Sequence, residues 1–497
     1  MDLKLQLKGV QKSLPREALL VCLVDEDRMF FNTESELLEE AAGHFQKEIK
    51  KKRATEPLIV FIPGKKGRGC FYLSSTKIIK YYNRDDSIRM IASAALLKAE
   101  NMGYSRVAFL VNVEEGSEMI PLLCEGALLG NYRFDRYISK KENKKKPVDT
   151  LVFYCRPSDK NKIRKDIGKE EKVSYAVNRA RDMVNETGGE MTPEKMAETV
   201  RELGKNTPGL SVKVKDEKSL KKEGYNGLLT VGAGSANPPR LITISYKPQG
   251  VKDTPHLCII GKGVTFDTGG LCLKPPKFMM GMKTDMAGAA AVIYAILAMA
   301  VLKIPVKVTA IIPAAENSAG SKSVYPGDVF IAKNGKSIQV ENTDAEGRLI
   351  LTDGLGMAET LSPTHVVDVA TLTGSCVMAL GSSISGLFGD DEEFTENFKD
   401  LAEKVGEPCW RLPLHEEYKQ YLKCDMADIN NIGNQREAGA ITAALFLAAF
   451  KPDDIPWIHL DIAGTSVADK PWKYFRAGAT GIGVRTLVAL AEKLSEK

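Results

Sequence analysis

The chain has 497 residues, 43% of them hydrophobic and 27% charged, proportions that exclude a disordered or fibrous protein and supply a large buried core. At about 150 residues per domain the length suggests three domains, and two larger α/β domains fit equally well. A net charge of +5 is small for such a chain, and the basic runs Lys50–Arg53 and Lys144–Lys146 read first as solvated loop or helix faces rather than a nucleic-acid surface.

From the N-terminus, MDLKLQLKGVQKSLPREALLVCLVDED lacks the basic start and long apolar core of a secretory signal. Apolar stretches along the chain fall short of about 20 uninterrupted residues, so no membrane span is expected. The cysteines (Cys22, Cys70, Cys124, Cys155, Cys258, Cys272, Cys376, Cys409 and Cys424) are scattered singly with no C-x-x-C pair. That pattern fits free thiols in a reducing, cytoplasmic compartment. Over residues 1–155, β-rich runs LIVFIP (58–63), RVAFLVNV (106–113) and TLVFYC (150–155) alternate with helical patterns such as SIRMIASAALLKAENMG. This alternation predicts an α/β domain with a mostly parallel sheet and holds no cluster of candidate catalytic groups. The polar stretch RPSDKNKIRKDIGKEEK and the helical VSYAVNRARDMVNE follow, placing a boundary near residue 165 and a connecting helix over 166–190.

The second part, 191–497, again alternates strand and helix. Strands are expected at 257–261, 306–316 and 365–372, with helices from Asp285 to Met299 and from Gly347 to Thr360. In VFIAKNGKSIQV, Asn334-Gly335 between strand-like runs predicts a hairpin. No two of the five histidines are three or four residues apart, which excludes H-E-x-x-H, and no G-x-S-x-G elbow is present. A hydrolase built on this chain must therefore use oxygen ligands. IIGKGVTFDTGG places Lys262 and Asp267 in a Gly-rich turn after an apolar strand, where open α/β sheets bind ligands. MKTDMAGAAAV places Asp285 at the mouth of one helix, and NTDAEGRL places Asp344, Glu346 and Arg348 at the start of another. Singly, each carboxylate reads as a helix N-cap and each cation as a surface group. Together, four carboxylates in an apolar setting call for positive charge, which two divalent cations would supply.

These segments together resemble the leucyl aminopeptidase (cytosol aminopeptidase) family of two-metal exopeptidases. NTDAEGRL (342–349) matches that family's signature without a change. ARDMVNE, GLLTVGAGSANPPRLI, GKGVTFDTGG, MKTDMAGAAAV, DVATLTG and WIHLDIAGT extend the likeness over the second half in order. The resemblance implies an α/β protein of two domains: a smaller, variable N-terminal α/β domain over 1–165 and a larger catalytic α/β domain over 191–497, with a central mixed sheet flanked by helices. It further implies that Lys262 is an amine ligand of one metal and Asp267 a carboxylate shared by both. Asp285 would be the second carboxylate of the lysine-bound site, Asp344 the main ligand of the other metal, and Glu346 the second bridge. An amine ligand must lose its proton, so the metal has to depress the Lys262 pKa. Lys274 and Arg348 correspond to catalytic residues. Met282, Asn342, Thr371, Leu372, Gly374, Ala463 and Ser466 correspond to positions lining the substrate cleft.

The expected cofactors are two divalent ions per subunit, Mn²⁺ or Zn²⁺ with Mg²⁺ or Co²⁺ as alternatives, and bicarbonate or a similar anion near Arg348. The expected substrates are short peptides with leucine-like N-termini, Cys-Gly and other dipeptides included, and the expected assembly is a homohexamer. Membrane and nucleic acid are not expected partners. Three alternatives stay open at this point: an additional DNA-binding or regulatory role, a catalytically inactive paralogue, and a two-metal phosphoesterase. Two departures from the family stand out. ETGGEMTP (186–193) has two glycines where relatives carry prolines or other small residues, and Ser466 stands where some carry methionine, which bears on side-chain preference.

Overall fold

The structure, a computed structural model, describes residues 3–9, 18–24, 29, 36–51, 53–64, 67–111, 118–139, 147–250 and 254–496. The basic run Lys144–Lys146 and the last two residues of the 106–113 segment lie outside them. The chain divides into two compact units, Met1–Tyr175 with Lys470–Arg476, and Ala176–Asp469 with Ala477–Lys497. Helix Lys160–Asn185 runs through the division.

The first unit contains β1 (Lys4–Gly9), β2 (Ala18–Leu23), β3 (Leu58–Gly64), β4 (Gly67–Ser74), β5 (Arg106–Leu110) and β6 (Thr150–Cys155). They form one sheet in the order β1-β6-β5-β2-β4-β3, parallel except for the β3–β4 pair. The central strand β2 is buried on both faces. Leu19 and Val21 pack with Ile88, Ile91 and Leu123, while Leu20 and Cys22 pack with Leu38, Phe45 and Ile49. Covering both faces explains why ALLVCL is uninterruptedly apolar instead of alternating. Residues 470–476 belong to this unit because Lys473 ion-pairs with buried Asp86, the Tyr474 hydroxyl donates to Asp86 at 3.3 Å and Arg476 reaches Glu100 at 3.3 Å.

The second unit is built on a nine-stranded mixed sheet. Its strands are β7 (Leu210–Lys215), β8 (Arg240–Tyr246), β9 (His256–Gly261), β10 (Gly263–Asp267) and β11 (Lys307–Asn317), then β14 (His365–Ala370), β15 (Ser385–Gly389), β16 (Cys409–Arg411) and β18 (Trp457–Asp461). The order is β16-β15-β18-β14-β9-β11-β8-β7, with β10 also pairing β11, and β18, β14, β9 and β11 run parallel at the centre. The expected Asn334-Gly335 hairpin is present as β12 (Val329–Ile331) and β13 (Ser337–Gln339), with β17 (Ile429–Asn430) added in parallel to β13.

On one sheet face, Cys258 and Ile260 pack with Leu349, Ile350 and Leu355 of helix Glu346–Glu359. The other face takes helix Ala287–Leu302, AGAAAVIYAILAMAVL, at close range. A Cβ on Gly288 would lie 2.0 Å from the Val369 carbonyl oxygen, and one on Gly261 would lie 2.6 Å from the Gly288 carbonyl oxygen. The small residues at the head of this helix therefore let two backbones touch. The wider stretch Pro276–Leu302 is long and apolar enough to cross a membrane by length and composition, yet 89% of its apolar window is buried inside the fold. The stretch reaches that length only by including charged residues such as Lys283 and Asp285, its uninterrupted apolar run being shorter, and its burial marks it as a core helix.

Gly288→Ala forces the helix off the sheet and should destabilise by about 1–3 kcal/mol. Gly168→Ala, inside helix Lys160–Asn185 with nothing near its Cβ, should stabilise by about 0.4–1 kcal/mol; equal denaturation midpoints for the two variants would contradict the packing described. His256 is buried with Nε2 2.9 Å from the Thr309 hydroxyl, and burial, reinforced by Lys307, pushes its pKa down from 6.5 to about 4. The unfolded chain then takes up a proton that the folded chain refuses. This contribution is intact above pH 6.5 and lost as pH falls from 6.5 towards 4. Denaturant titrations across that window should show a weaker pH dependence in His256→Gln than in the parent.

Candidate active site

The carboxyl ends of the central strands converge on one place. Lys262 lies between β9 and β10, and Asp267 is the last residue of β10. The Gly-rich turn begins later than the sequence suggests, at Thr268, because residues 263–267 add to the far end of the long β11, with Gly263 opposite Ala314 and Asp267 opposite Asn317. Asp285 ends a single 3-10 turn, Met282–Thr284, and Glu346 is the first residue of its helix. The N-cap positions of the two helices are Met286 and Ala345, and neither has a side-chain cap bond. The carboxylates are therefore not used as helix caps. They are turned towards one another.

Lys262 Nζ lies 2.7 Å from Asp285 Oδ1 and 2.9 Å from Glu346 Oε1; Lys274 Nζ lies 2.8 Å from Asp267 Oδ2 and 2.5 Å from Asp344 Oδ1. One carboxylate oxygen each from Asp267, Asp344 and Glu346 lie within 4.8 Å of one another. Four carboxylates face two ammonium groups, an excess of two negative charges when all are ionised. Burial pushes the Asp285 carboxyl well above the ordinary carboxylate range, and Glu346 and Asp267 push the same way against Lys262. Burial and Glu346 likewise raise Asp267, and burial raises Asp344. Burial works against charge on both lysines too, but the surrounding carboxylates outweigh it and hold their pKa values above the ordinary lysine range. Glu346 stays below its usual value because Lys262 and Lys274 outweigh its burial. The buried Asp285 Oδ2 accepts no hydrogen bond among the described residues. An orphaned carboxylate oxygen, a surplus of negative charge and oxygen donors within reach of one another fit divalent cations.

A set of polar residues shapes this group. Thr371 donates from its hydroxyl to Asp285 Oδ1 at 2.7 Å, and its carbonyl accepts from Lys262 Nζ at 2.8 Å. Asn317 Nδ2 donates to Asp267 Oδ1 at 2.8 Å and to the Thr343 carbonyl at 3.0 Å. A Cβ on Gly347 would lie 2.6 Å from Lys262 Nζ, so a side chain there would shift the lysine's end from its place between Asp285 and Glu346. Three residues absent from the sequence-level site are prominent. Buried Asn431 accepts from the Glu341 and Asn342 amides at 2.9 and 3.2 Å, donates to the Asn342 carbonyl at 2.7 Å and, through its own carbonyl, accepts from Arg348 Nη1 at 2.7 Å. Asp461 accepts from the Leu372 and Ala463 amides at 3.1 and 3.0 Å and from the Thr373 hydroxyl at 2.8 Å. Asn317 is the third. Asp461 lies in WIHLDIAGT and was findable there; Asn431 and Asn317 carry no sequence signal beyond being polar.

A cavity of about 1190 Å³ opens over the cluster. Lys262, Asp267, Lys274, Asp285, Asp344 and Glu346 form its charged floor, and Met282, Thr371, Leu372, Gly374, Ala463 and Ser466 also line it. Asn342 and Arg348 are not among the lining residues described: Asn342 caps Asp344 N through Oδ1 at 2.9 Å, and Arg348 is buried behind the floor against Asn431. The arrangement offers an anionic, cation-seeking floor beneath an apolar chamber large enough for a peptide end.

Comparison with known proteins agrees with this chemistry. The profile of the cytosol aminopeptidase family, catalytic domain, matches residues 178–488. A "Probable cytosol aminopeptidase" of Persephonella marina is 41% identical over 409 residues, 81% of each chain. One from Solibacter usitatus is 44% identical over 405 residues, 81% of this chain and 83% of that protein. Among solved structures, the bottromycin maturation enzyme BotP in complex with Mn aligns with a TM-score of 0.83 at 31% identity, over 96% of this chain and 100% of that one. A tomato leucine aminopeptidase mutant aligns with a TM-score of 0.85 at 28% identity, over 99% and 97%. The profile spans more than half of the chain and the relatives most of it, so this chain belongs to the cytosol aminopeptidase family and is a metal-dependent aminopeptidase acting on peptides.

Proposed function

We propose that the chain removes leucine-like N-terminal residues from short peptides, dipeptides such as Cys-Gly included, at a site for two divalent cations. The observation that supports this best is the convergence of Lys262, Asp267, Asp285, Asp344, Glu346 and Lys274, distant in sequence, on the floor of one cavity. Lys262, Asp267 and Asp285 would hold one ion, with Asp267 and Glu346 shared and Asp344 serving the other. Mn²⁺ or Zn²⁺ is the proposed occupant, since one amine and several carboxylates suit either. Bound cations of this kind supply Lewis acidity towards a carbonyl and make water a nucleophile near neutrality.

The protein's own groups do the rest. Lys274, a cavity-lining ammonium, donates hydrogen bonds to negative charge growing on the former carbonyl oxygen, a contribution on the order of 3 kcal/mol. Arg348 stays cationic at neutral pH even though burial lowers its pKa to about 10, so it is not a general base. Its Nε finds no partner among the described residues, which suits a bound bicarbonate or similar anion. Met282, Thr371, Leu372, Gly374, Ala463 and Ser466 surround the N-terminal side chain, with Asn342 holding the Asp344 loop behind them. The same family reading extends the proposal to a homohexamer in the cytoplasm, for which light scattering and cell fractionation are the direct measurements.

The deciding assay is release of p-nitroaniline from Leu-p-nitroanilide, abolished by a chelator and restored by Mn²⁺, beside p-nitrophenyl phosphate as the phosphoesterase control. Turnover of the phosphate ester alone would overturn the peptidase reading. Asp344→Ala and Glu346→Ala should each abolish turnover with an unchanged circular dichroism spectrum, and Lys274→Ala should lower kcat by about 10²–10³. Asn431→Ala removes the clamp on the loop carrying Asp344 and Glu346, and is expected to weaken Mn²⁺ binding by about 10–100-fold in a metal titration. Parent-like Mn²⁺ affinity in that variant would show that the clamp does not order the ligands.

A further inference from the structure

Seven ionisable side chains line the cavity, and six of them are the floor groups. Those six are locked to one another in lysine–carboxylate pairs. The seventh, Arg436, has no ion pair or hydrogen bond among the described residues and is exposed. Its neighbours on the cavity wall, Ala438, Gly439, Ala440 and Ile441, are small or apolar and offer no competing carboxylate. Phe278 and Met378, which also line the cavity, are apolar as well. The loop bearing Arg436 is anchored on its N-terminal side by buried Asn431 and by the Asn434 amide, which donates to the Tyr421 carbonyl at 2.9 Å. On its C-terminal side, Ala438 takes a left-handed conformation and its carbonyl accepts from Thr442 N at 2.9 Å. A solvent-accessible guanidinium is thus held on the wall of a peptide-sized chamber with no ion pair among the described residues, although the exposed Glu437 follows it in the chain.

Resting on the aminopeptidase reading, we propose that Arg436 is a specificity-determining residue that binds the free C-terminal carboxylate of short peptide substrates. A peptide of a few residues carries opposite charges at its two ends. The floor, with its cations bound, would take the N-terminal amine and the adjoining carbonyl of the peptide, which leaves the carboxylate at the other end directed away from it along the cavity wall. Arg436 is the wall group able to receive that carboxylate, and its planar fork matches a carboxylate with two parallel hydrogen bonds. The contact is available only to chains short enough to bring both ends inside one chamber. Peptide length is therefore selected by charge at the far end, in addition to the fit of the N-terminal side chain.

The test compares acid and amide forms of Leu-Gly, Leu-Gly-Gly and Leu-Gly-Gly-Gly, each with Mn²⁺, in the parent, Arg436→Ala and Arg436→Lys. The quantity read is the ratio of kcat/KM for the free acid over the C-terminal amide at each length. The parent should prefer the acid by about tenfold or more at one length, the worth of a charge-assisted hydrogen bond. That ratio should fall to near one in Arg436→Ala and be partly kept in Arg436→Lys, with the loss mainly in KM. A ratio near one at every length in the parent, or one that Arg436→Ala leaves unchanged, overturns the assignment while leaving the aminopeptidase reading intact. Failure of the parent to cleave any acid, amide or Leu-p-nitroanilide sinks both.

Discussion

The second unit is organised around a charge imbalance taken out of water. Asp267, Asp285 and Glu346 are almost completely buried and Asp344 joins them at the cavity floor. Burying ionised carboxylates costs several kcal/mol each unless opposite charge is brought to them. Lys262 and Lys274 bring part of it, each bridging two carboxylates. Two ammonium groups cannot neutralise four carboxylates, so the remaining charge must be met by cations from solution or by protonation. Metal dependence in this family thus has an electrostatic cause visible in the side chains themselves.

The parallel centre of the sheet is what makes such a concentration possible. β9, β10, β11, β14 and β18 deliver Lys262, Asp267, Asn317, Thr371 and Asp461 at or just beyond their carboxyl ends. Ligands gather at that edge in open α/β sheets because the loops leaving it diverge and backbone N–H groups face the opening. Close packing completes the geometry. Gly261 and Gly288 let helix Ala287–Leu302 sit against the strands, which brings Asp285, just ahead of that helix, to Lys262. Gly347 leaves room for the lysine to cross the head of the other helix and reach Glu346. Methyl groups at these three positions would separate the charges that the site brings together.

Much of this was legible in the sequence because periodicity and motif order report directly on it. The apolar strands LIVFIP, TLVFYC and LCIIG appear within a residue of their expected places. The hairpin at Asn334-Gly335 formed because its turn chemistry is local, with Gly335 at φ 89°. Lys262, Asp267, Asp285, Asp344 and Glu346, singled out from separate motifs, line one cavity floor. The strand character of residues 263–267 was hidden, because GKGVTFDTGG reads as a turn until the length of β11, with which it pairs, is known. Docking of residues 470–476 onto the first unit was also out of reach, since it rests on pairs such as Lys473 with Asp86, far apart in the chain.

The residues missed inside the site share a physical character. Asn431 and Asp461 act mostly on main-chain amides and carbonyls, and such bonds place no demand on the partner's side chain. No pattern of residue types therefore marks Asn431, and Asp461 is marked only by its place in WIHLDIAGT. Their effect is on direction: Asn431 fixes the turn from which Asp344 and Glu346 project, and Asp461 fixes the 371–374 loop whose Thr371 holds both Lys262 and Asp285. A carboxylate can bind a cation from many orientations, but a well-defined metal site needs its donors held to within about half an ångström. The ligand types set which ions the cluster attracts, while these backbone clamps set whether the cluster has one geometry or several.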